Sequence, residues 1–209
     1  KEVTKRLLRD AGIPTPDWLV GEPSADEVVE ALGLPVIVKA SGGGSSLRLV
    51  LAHDREELES AIEASRTWND VVLFERYHRG RELTVGVLGD ATFPVGEIIP
   101  EHEIFDYECK YQPGLAQEIF PADISDDISR TLRTLALQTH QALRMRDYSR
   151  IDFIVDENGQ PWCLEANALP GMTANSLLPK AARAAGTSFD DLCDQIAMLA
   201  AARKKPDRS

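Results

Sequence analysis

The segment "RIDFIVDENGQPWCLEAN", residues 150–167, constrains the chain more than any other stretch. Alternating apolar runs flank Asn158-Gly159, a dipeptide that tolerates positive φ at both positions and so predicts a two-residue type I′ hairpin. Centring the turn there sets Asp152 opposite Glu165 and Arg150 opposite Asn167. Side chains two apart share a strand face, so all four project together. The other face would carry Phe153, Val155, Trp162 and Leu164 into a core. Two opposed carboxylates repel, so either solvent screens them or a cation lies between them. Oxygen donors of this kind suit Mg²⁺, which takes one or two carboxylates together with water and substrate phosphates. The competing reading is a wet sheet face on which Arg150 neutralises one acid. A one-residue slip of the turn would undo the facing pairs.

The rest of the chain supplies strands and helices around that hairpin. Residues 1–11 read as a helix closed by Gly12, and "SADEVVEALG" as a second, capped by Ser24 and stopped by Gly33. "LPVIVKA" and "LRLVLA" are strands on either side of "SGGGSS". "DREELESAIEASR" is a helix with Leu58, Ala61 and Ile62 inward. "VVLFERY", "ELTVGVLGD" and "ATFPVGEII" follow as strands. From residue 101 to 125 the apolar period is lost for about two dozen residues, a length typical of lids or disordered loops. Residues 126–144 form a helix with Ile128, Leu132, Leu135 and Leu143 inward, and another helix closes the chain near 188–202. Strands mixed with helices and consecutive hairpins predict an α+β fold.

Composition narrows the function classes. The 209 residues suffice for one large domain or two small ones. A net charge of −11 argues against a nucleic-acid surface or a polybasic membrane contact. Three cysteines without CxxC spacing suggest a reducing compartment, and the histidines lack zinc-ligand spacing. No apolar run reaches transmembrane length and no secretory signal is visible. The chain opens at Lys1 directly in a helical pattern, which suggests that an amino-terminal portion is missing.

Several residues could carry chemistry. Lys39 ends a strand just before three glycines and Ser45-Ser46, where exposed amides and a lysine suit phosphate oxygens; a flexible turn beside a solvated lysine is the plainer reading. Glu75 and Glu82 bracket two strand ends and could hold an adenine amino group and ribose hydroxyls, or be solvated acids. Lys110-Tyr111 lie in the long loop, where a lysine could meet a transferring phosphoryl group. Ser176 opens a helix as an N-cap or as a carboxylate contact.

Taken together, "LPVIVKASGGGSS", "FERYHRGRELTVGVLGD", "FDYECKY", "RIDF" and "LEANALPGMTANSLLPKAARAAG" resemble the carboxy-terminal two-thirds of the D-alanine-D-alanine ligase family, of the ATP-grasp superfamily. The resemblance implies an ATP-grasp fold, with a small lid subdomain over 1–100 and a large subdomain over 101–209 bearing a mobile loop at 103–121. It implies that Lys1 and Lys39 contact ATP phosphates under a flap carrying Ser45 and Ser46. Glu75 and Tyr77 would flank the adenine, Glu82 the ribose, and Lys110 the γ-phosphate. Asp152, Glu165 and Asn167 would bind two Mg²⁺ ions, for which Mn²⁺ could substitute. Arg150, Lys110, Tyr111 and Ser45 would be the catalytic set; Ser176 and Leu177, with Arg150, would contact the amino-acid substrate. The implied reaction is ATP-dependent joining of two D-alanines through an acyl phosphate for peptidoglycan synthesis, by a cytoplasmic homodimer. A related ligase for another amino acid or hydroxy acid, or a non-catalytic ATP-binding regulatory module, are the alternatives. Departures from the family pattern are the absent amino-terminal domain, "RDYSRIDF" without its usual glycine, and "SGGGSS" where charged residues are common.

Overall fold

The computed structural model describes residues 1–42, 48–104 and 114–203. Ser45, Ser46, Lys110 and Tyr111 lie outside the described residues. Helix α1 (Glu2–Asp10) turns Lys5 and Leu8 inward, three apart and hence on one face, and leads to β1 (Trp18–Val20). Helix α2 (Ala25–Leu32) begins at Ser24, whose hydroxyl accepts from the Glu27 amide while the Glu27 carboxylate accepts from the Ser24 amide. This reciprocal box satisfies two donors that a helix start leaves open. Gly33, at φ 72°, ends the helix.

Strands β2 (Val36–Ala40), β3 (Leu49–Ala52) and β4 (Val72–Arg76), with helix α3 (Arg55–Ser65), complete the first layer pair. The sheet runs β1-β4-β2-β3 with antiparallel pairing throughout. Alternation sorts its faces. Val36, Val38, Ala40, Val72 and Phe74 pack with Val28 and Leu32 of α2 and Leu58 of α3 in one core. Each large apolar side chain so buried contributes roughly 1.5–3 kcal/mol, enough to hold the opposite face in place. That face presents Ile37, Lys39, Leu73 and Glu75.

The second sheet has β5 (Gly80–Leu88), β6 (Ala91–Thr92), β7 (Gly96–Pro100), β8 (Ala116–Ile119), β9 (Tyr148–Asp156) and β10 (Pro161–Asn167). Its order is β10-β9-β5-β7-β8, with β6 attached to β5. Helices α4 (Asp126–Ala142), α5 (Leu177–Ala184) and α6 (Phe189–Ala202) follow the expected positions. The mixture is the α+β class read from the sequence. Three elements differ, the first being β1, which is not among the expected strands. "ATFPVGEII" is broken into β6 and β7 instead of forming one strand, and "AQEI" forms β8 inside the stretch without apolar period.

Residue contacts define two compact units. One comprises Lys1–Arg81, Ile98–Gln117 and Ile154–Leu164; the other comprises Glu82–Glu97, Glu118–Phe153 and Glu165–Ser209. The core of the second joins Phe93 to Leu178, Ala181 and Ala182 of α5 and Leu192 of α6. Among the described residues no helix is long and apolar enough to cross a membrane.

The hairpin turn is not type I′. Gly159 has φ 79°, but Asn158 is not among the residues with positive φ. Gly159 N donates to Asp156 O at 2.9 Å and Asp156 N to Gln160 O at 3.0 Å, which makes a three-residue loop closed by a left-handed glycine. The cause is local: Asp156 Oδ1 accepts from the amides of Asn158 and Gln160. The core face changes accordingly. Phe153 and Val155 are buried as expected, but Cys163 is the fully buried residue of β10, and Trp162 and Leu164 are half-exposed.

Candidate functional site

Two polar constellations stand out, one in each unit. In the first, Glu75 sits opposite Ile37 and Trp18 in the sheet, so Lys39, two residues beyond Ile37, is its diagonal neighbour on the same face. Lys39 Nζ donates to Glu75 Oε1 at 2.8 Å. Lys5, reaching in from α1, lies 2.5 Å from Oε2, an ion pair by distance without hydrogen-bond geometry at that oxygen. Lys5 Nζ also donates to Thr15 Oγ1 at 2.8 Å and to the Pro16 carbonyl at 3.0 Å; Thr15 in turn donates to the Cys163 carbonyl. Glu75 and Lys5 are each 2% exposed. Burial pushes the Glu75 carboxyl up, but Lys39 and Lys5 outweigh it and hold its pKa below the ordinary range. Burial pushes Lys5 down, and Glu75 only partly offsets this.

Lys1 belongs to the same neighbourhood. Its Nζ donates to the carbonyls of Ala40 and Ser41, the residues after Lys39. Gly42 N, next along, donates to the Asp70 carboxylate at 3.1 Å. Tyr77 is partly buried, with its pKa raised by desolvation and by Glu103. His78 stacks on Trp162 with ring centroids 4.2 Å apart, and Trp162 Nε1 donates to Asp156 Oδ2.

In the second unit Asp152 is a hub, 7% exposed. Its Oδ1 accepts from Thr84 Oγ1 at 2.7 Å and Arg150 Nε at 2.9 Å. Its Oδ2 accepts from Arg150 Nη2 at 2.8 Å and Asn167 Nδ2 at 2.9 Å. The Asn167 contact is direct, so the changed turn does not separate these residues. Burial opposes the Arg150 charge, but Asp152, then Glu165 and Glu82, outweigh it and raise its pKa. Arg150 is thus the cation among the acids, which answers their repulsion. The donor types also fit a hard dication: two carboxylates, and an Asn167 amide whose nitrogen faces Asp152 and whose oxygen is left for another partner. A metal at Asp152 would have to compete with these donors. Among the described residues no group of three His, Cys, Asp or Glu side chains is arranged to hold a metal.

Ser176 occupies the N-cap position of α5, yet its hydroxyl makes no cap bond. It accepts from Thr173 N at 3.1 Å and pairs with Thr173 Oγ1 at 2.9 Å, leaving the first amides of α5 open to an anion. The Leu177 side chain is buried, so only its backbone faces that role.

Sequence reasoning missed Lys5 and Thr84. Both carry a retrievable signal: Lys5 shares the apolar stripe of α1 with Leu8, and alternation along β5 puts Thr84 on the face of Glu82.

The family model "D-ala D-ala ligase C-terminus" matches residues 7–198. The D-alanine–D-alanine ligase of Desulfotalea psychrophila is 40% identical, over 98% of this chain and 67% of its own length. That of Syntrophobacter fumaroxidans is 43% identical, over 96% and 67%. The crystal structure of the Bacillus anthracis D-alanine–D-alanine ligase aligns with TM-score 0.85 and 34% identity, covering 96% of this chain and 66% of that one. The same enzyme complexed with ATP aligns with TM-score 0.82 and 31% identity, over 96% and 65%. The chain spans about two thirds of the length of the relatives it matches.

Proposed function

The chain belongs to the D-alanine–D-alanine ligase family and has its ATP-grasp fold, and from that premise we propose that it is the ATP- and metal-binding part of a ligase joining two D-alanines for peptidoglycan synthesis. The observation that carries this reading is the largely buried Arg150, whose guanidinium is held in two hydrogen bonds by Asp152. A chain that only bound nucleotide would have no use for a desolvated guanidinium beside a metal-type carboxylate pair.

ATP with Mg²⁺, two ions or Mn²⁺ in their place, supplies the phosphoryl group that activates the first carboxylate as an acyl phosphate, which the second amine attacks with release of phosphate. The chain's residues provide the electrostatics. Lys1 and Lys39, at the end of β2, neutralise phosphate charge. Asp152, Glu165 and the Asn167 amide oxygen are the metal ligands. Arg150 stabilises the oxyanion of the tetrahedral intermediate, where pre-aimed charge is worth most. The Ser176 hydroxyl and the Leu177 amide take the carboxylate of the second amino acid. Tyr77 flanks the adenine and Glu82 the ribose. Because the Glu75 carboxylate is engaged by Lys39 and Lys5, its part in holding adenine falls to its backbone. Lys110, Tyr111, Ser45 and Ser46 keep the roles implied by family resemblance, over the γ-phosphate and the substrates. The full-length enzyme is read as a cytoplasmic homodimer.

The test is Mg²⁺-dependent phosphate release from ATP by the full-length protein, with D-alanine, L-amino acids and D-lactate supplied separately. Release with D-alanine alone, together with dipeptide, is expected. Release with another acid would replace the substrate, and ATP binding without release would overturn the enzymatic reading.

A further inference from the structure

We propose that Lys5 is a positioning residue, a standby counter-ion for Glu75 that frees Lys39 to engage nucleotide phosphates. The proposal rests on the reading of Lys39 as a phosphate contact. Its basis is a mismatch of charge and exposure. One carboxylate, Glu75, is shared by two ammonium groups, Lys39 at 2.8 Å and Lys5 at 2.5 Å. The two lysines are not equivalent. Lys5 is 2% exposed and is anchored on three sides, by Thr15, Pro16 and Glu75. Lys39 is the penultimate residue of β2, just before Ala40 and Ser41, is 9% exposed, and pairs through its ammonium with Glu75.

A buried ion pair broken by removal of one partner leaves an uncompensated charge in low dielectric, which is strongly unfavourable. If Glu75 had Lys39 alone, turning that ammonium toward a phosphate would leave the carboxylate bare. With Lys5 fixed at the other oxygen, the carboxylate keeps a counter-charge whichever way Lys39 points. The arrangement also limits the opposite error, since two cations on one anion leave surplus positive charge to meet an incoming anion. Lys5 touches neither substrate nor metal in this account and acts through Glu75.

The experiment is calorimetric binding of ATP and of adenosine to the full-length protein carrying Lys5→Met, Lys5→Arg or Lys39→Met. Lys5→Met should weaken ATP binding at least ~10-fold while changing adenosine binding by less than ~2-fold. Lys5→Arg, which keeps the charge, should restore ATP binding to within ~3-fold of the parent. If Lys5→Met does not fold, Lys5→Gln, which can still donate to Thr15 and Pro16, carries the same expectation. Equal loss for ATP and adenosine would make Lys5 a purely structural residue and overturn the proposal. Lys39→Met separates the two readings. If it leaves ATP affinity unchanged, the phosphate role of Lys39 fails; if it weakens ATP and Lys5→Met does not, the role of Lys5 fails alone.

Discussion

Thr84→Val is the sharpest test of how Asp152 is held. The change is nearly isosteric and replaces the buried hydroxyl that donates to Asp152 Oδ1 at 2.7 Å with a methyl group. A hydrogen bond to a charged group contributes about 1.5–3 kcal/mol. Asp152 keeps the two bonds from Arg150 and the one from Asn167, so the loss belongs at the lower end, about 1.5–2 kcal/mol. For a protein of this size each kcal/mol moves the melting temperature by roughly 2–4 °C, giving an expected drop of about 3–8 °C. Thr84→Ser, which retains the hydroxyl, should recover most of it. Because groups that orient a metal ligand typically affect metal affinity by about 10–100-fold, half-saturation by Mg²⁺ should shift upward in Thr84→Val as well. The assays are thermal unfolding of the full-length protein and Mg²⁺ titration of phosphate release. A Thr84→Val protein within about 0.5 kcal/mol of the parent, or a Thr84→Ser protein as impaired as Thr84→Val, would refute the reasoning.

Glu75→Gln should destabilise by about 3–5 kcal/mol at pH 7, since it leaves two ammonium groups facing each other without their anion, and urea unfolding measures it. Its pH dependence follows from Lys5, whose pKa burial already lowers from the ordinary 10.5. Between the folded and unfolded pKa the unfolded chain binds more protons, so stability rises with pH, and the deficit of the variant should narrow on going to pH 10. Arg150→Ala should lower kcat far more than it weakens ATP binding, as steady-state kinetics beside ATP titration would show; equal losses would make Arg150 a ground-state contact. Gly96→Ala should cost at least about 1–3 kcal/mol by overpacking, because a Cβ there would lie 2.0 Å from Phe120 Cε1; chemical unfolding at unchanged ligand affinity would check this.

Local signals were legible, whereas pairings between distant segments were not. The Ser24 capping box and the Gly33 stop depend on residues three to nine apart and appear as expected. The two strands of the hairpin, β9 with Arg150 and Asp152 and β10 with Asn167, were equally clear, because alternation on either side of a turn dipeptide declares itself. Its turn was misassigned because Asn-Gly serves two loop types, and the Asp156 side chain selects the longer one by binding two amides. Strand β8 was hidden because four residues, none of them fully buried, carry almost no period. Glu75 and Lys5 were harder still. Glutamate at a strand end and lysine on a helix are ordinarily solvated, and only the tertiary fold brings residues seventy apart in sequence into one buried pair.

The lysine-carboxylate trio also bears on how this protein can change over generations. Two cations and one anion share a volume closed to water, so replacing Glu75 leaves two ammonium groups without an anion, an imbalance that solvent cannot screen. Losing the anion is therefore tolerated only when a change at position 5 or 39 arrives with it. Positions 5, 39 and 75 are therefore expected to be inherited as a block, and their joint presence or joint replacement in a relative would report whether that relative grips its ligand in the same way.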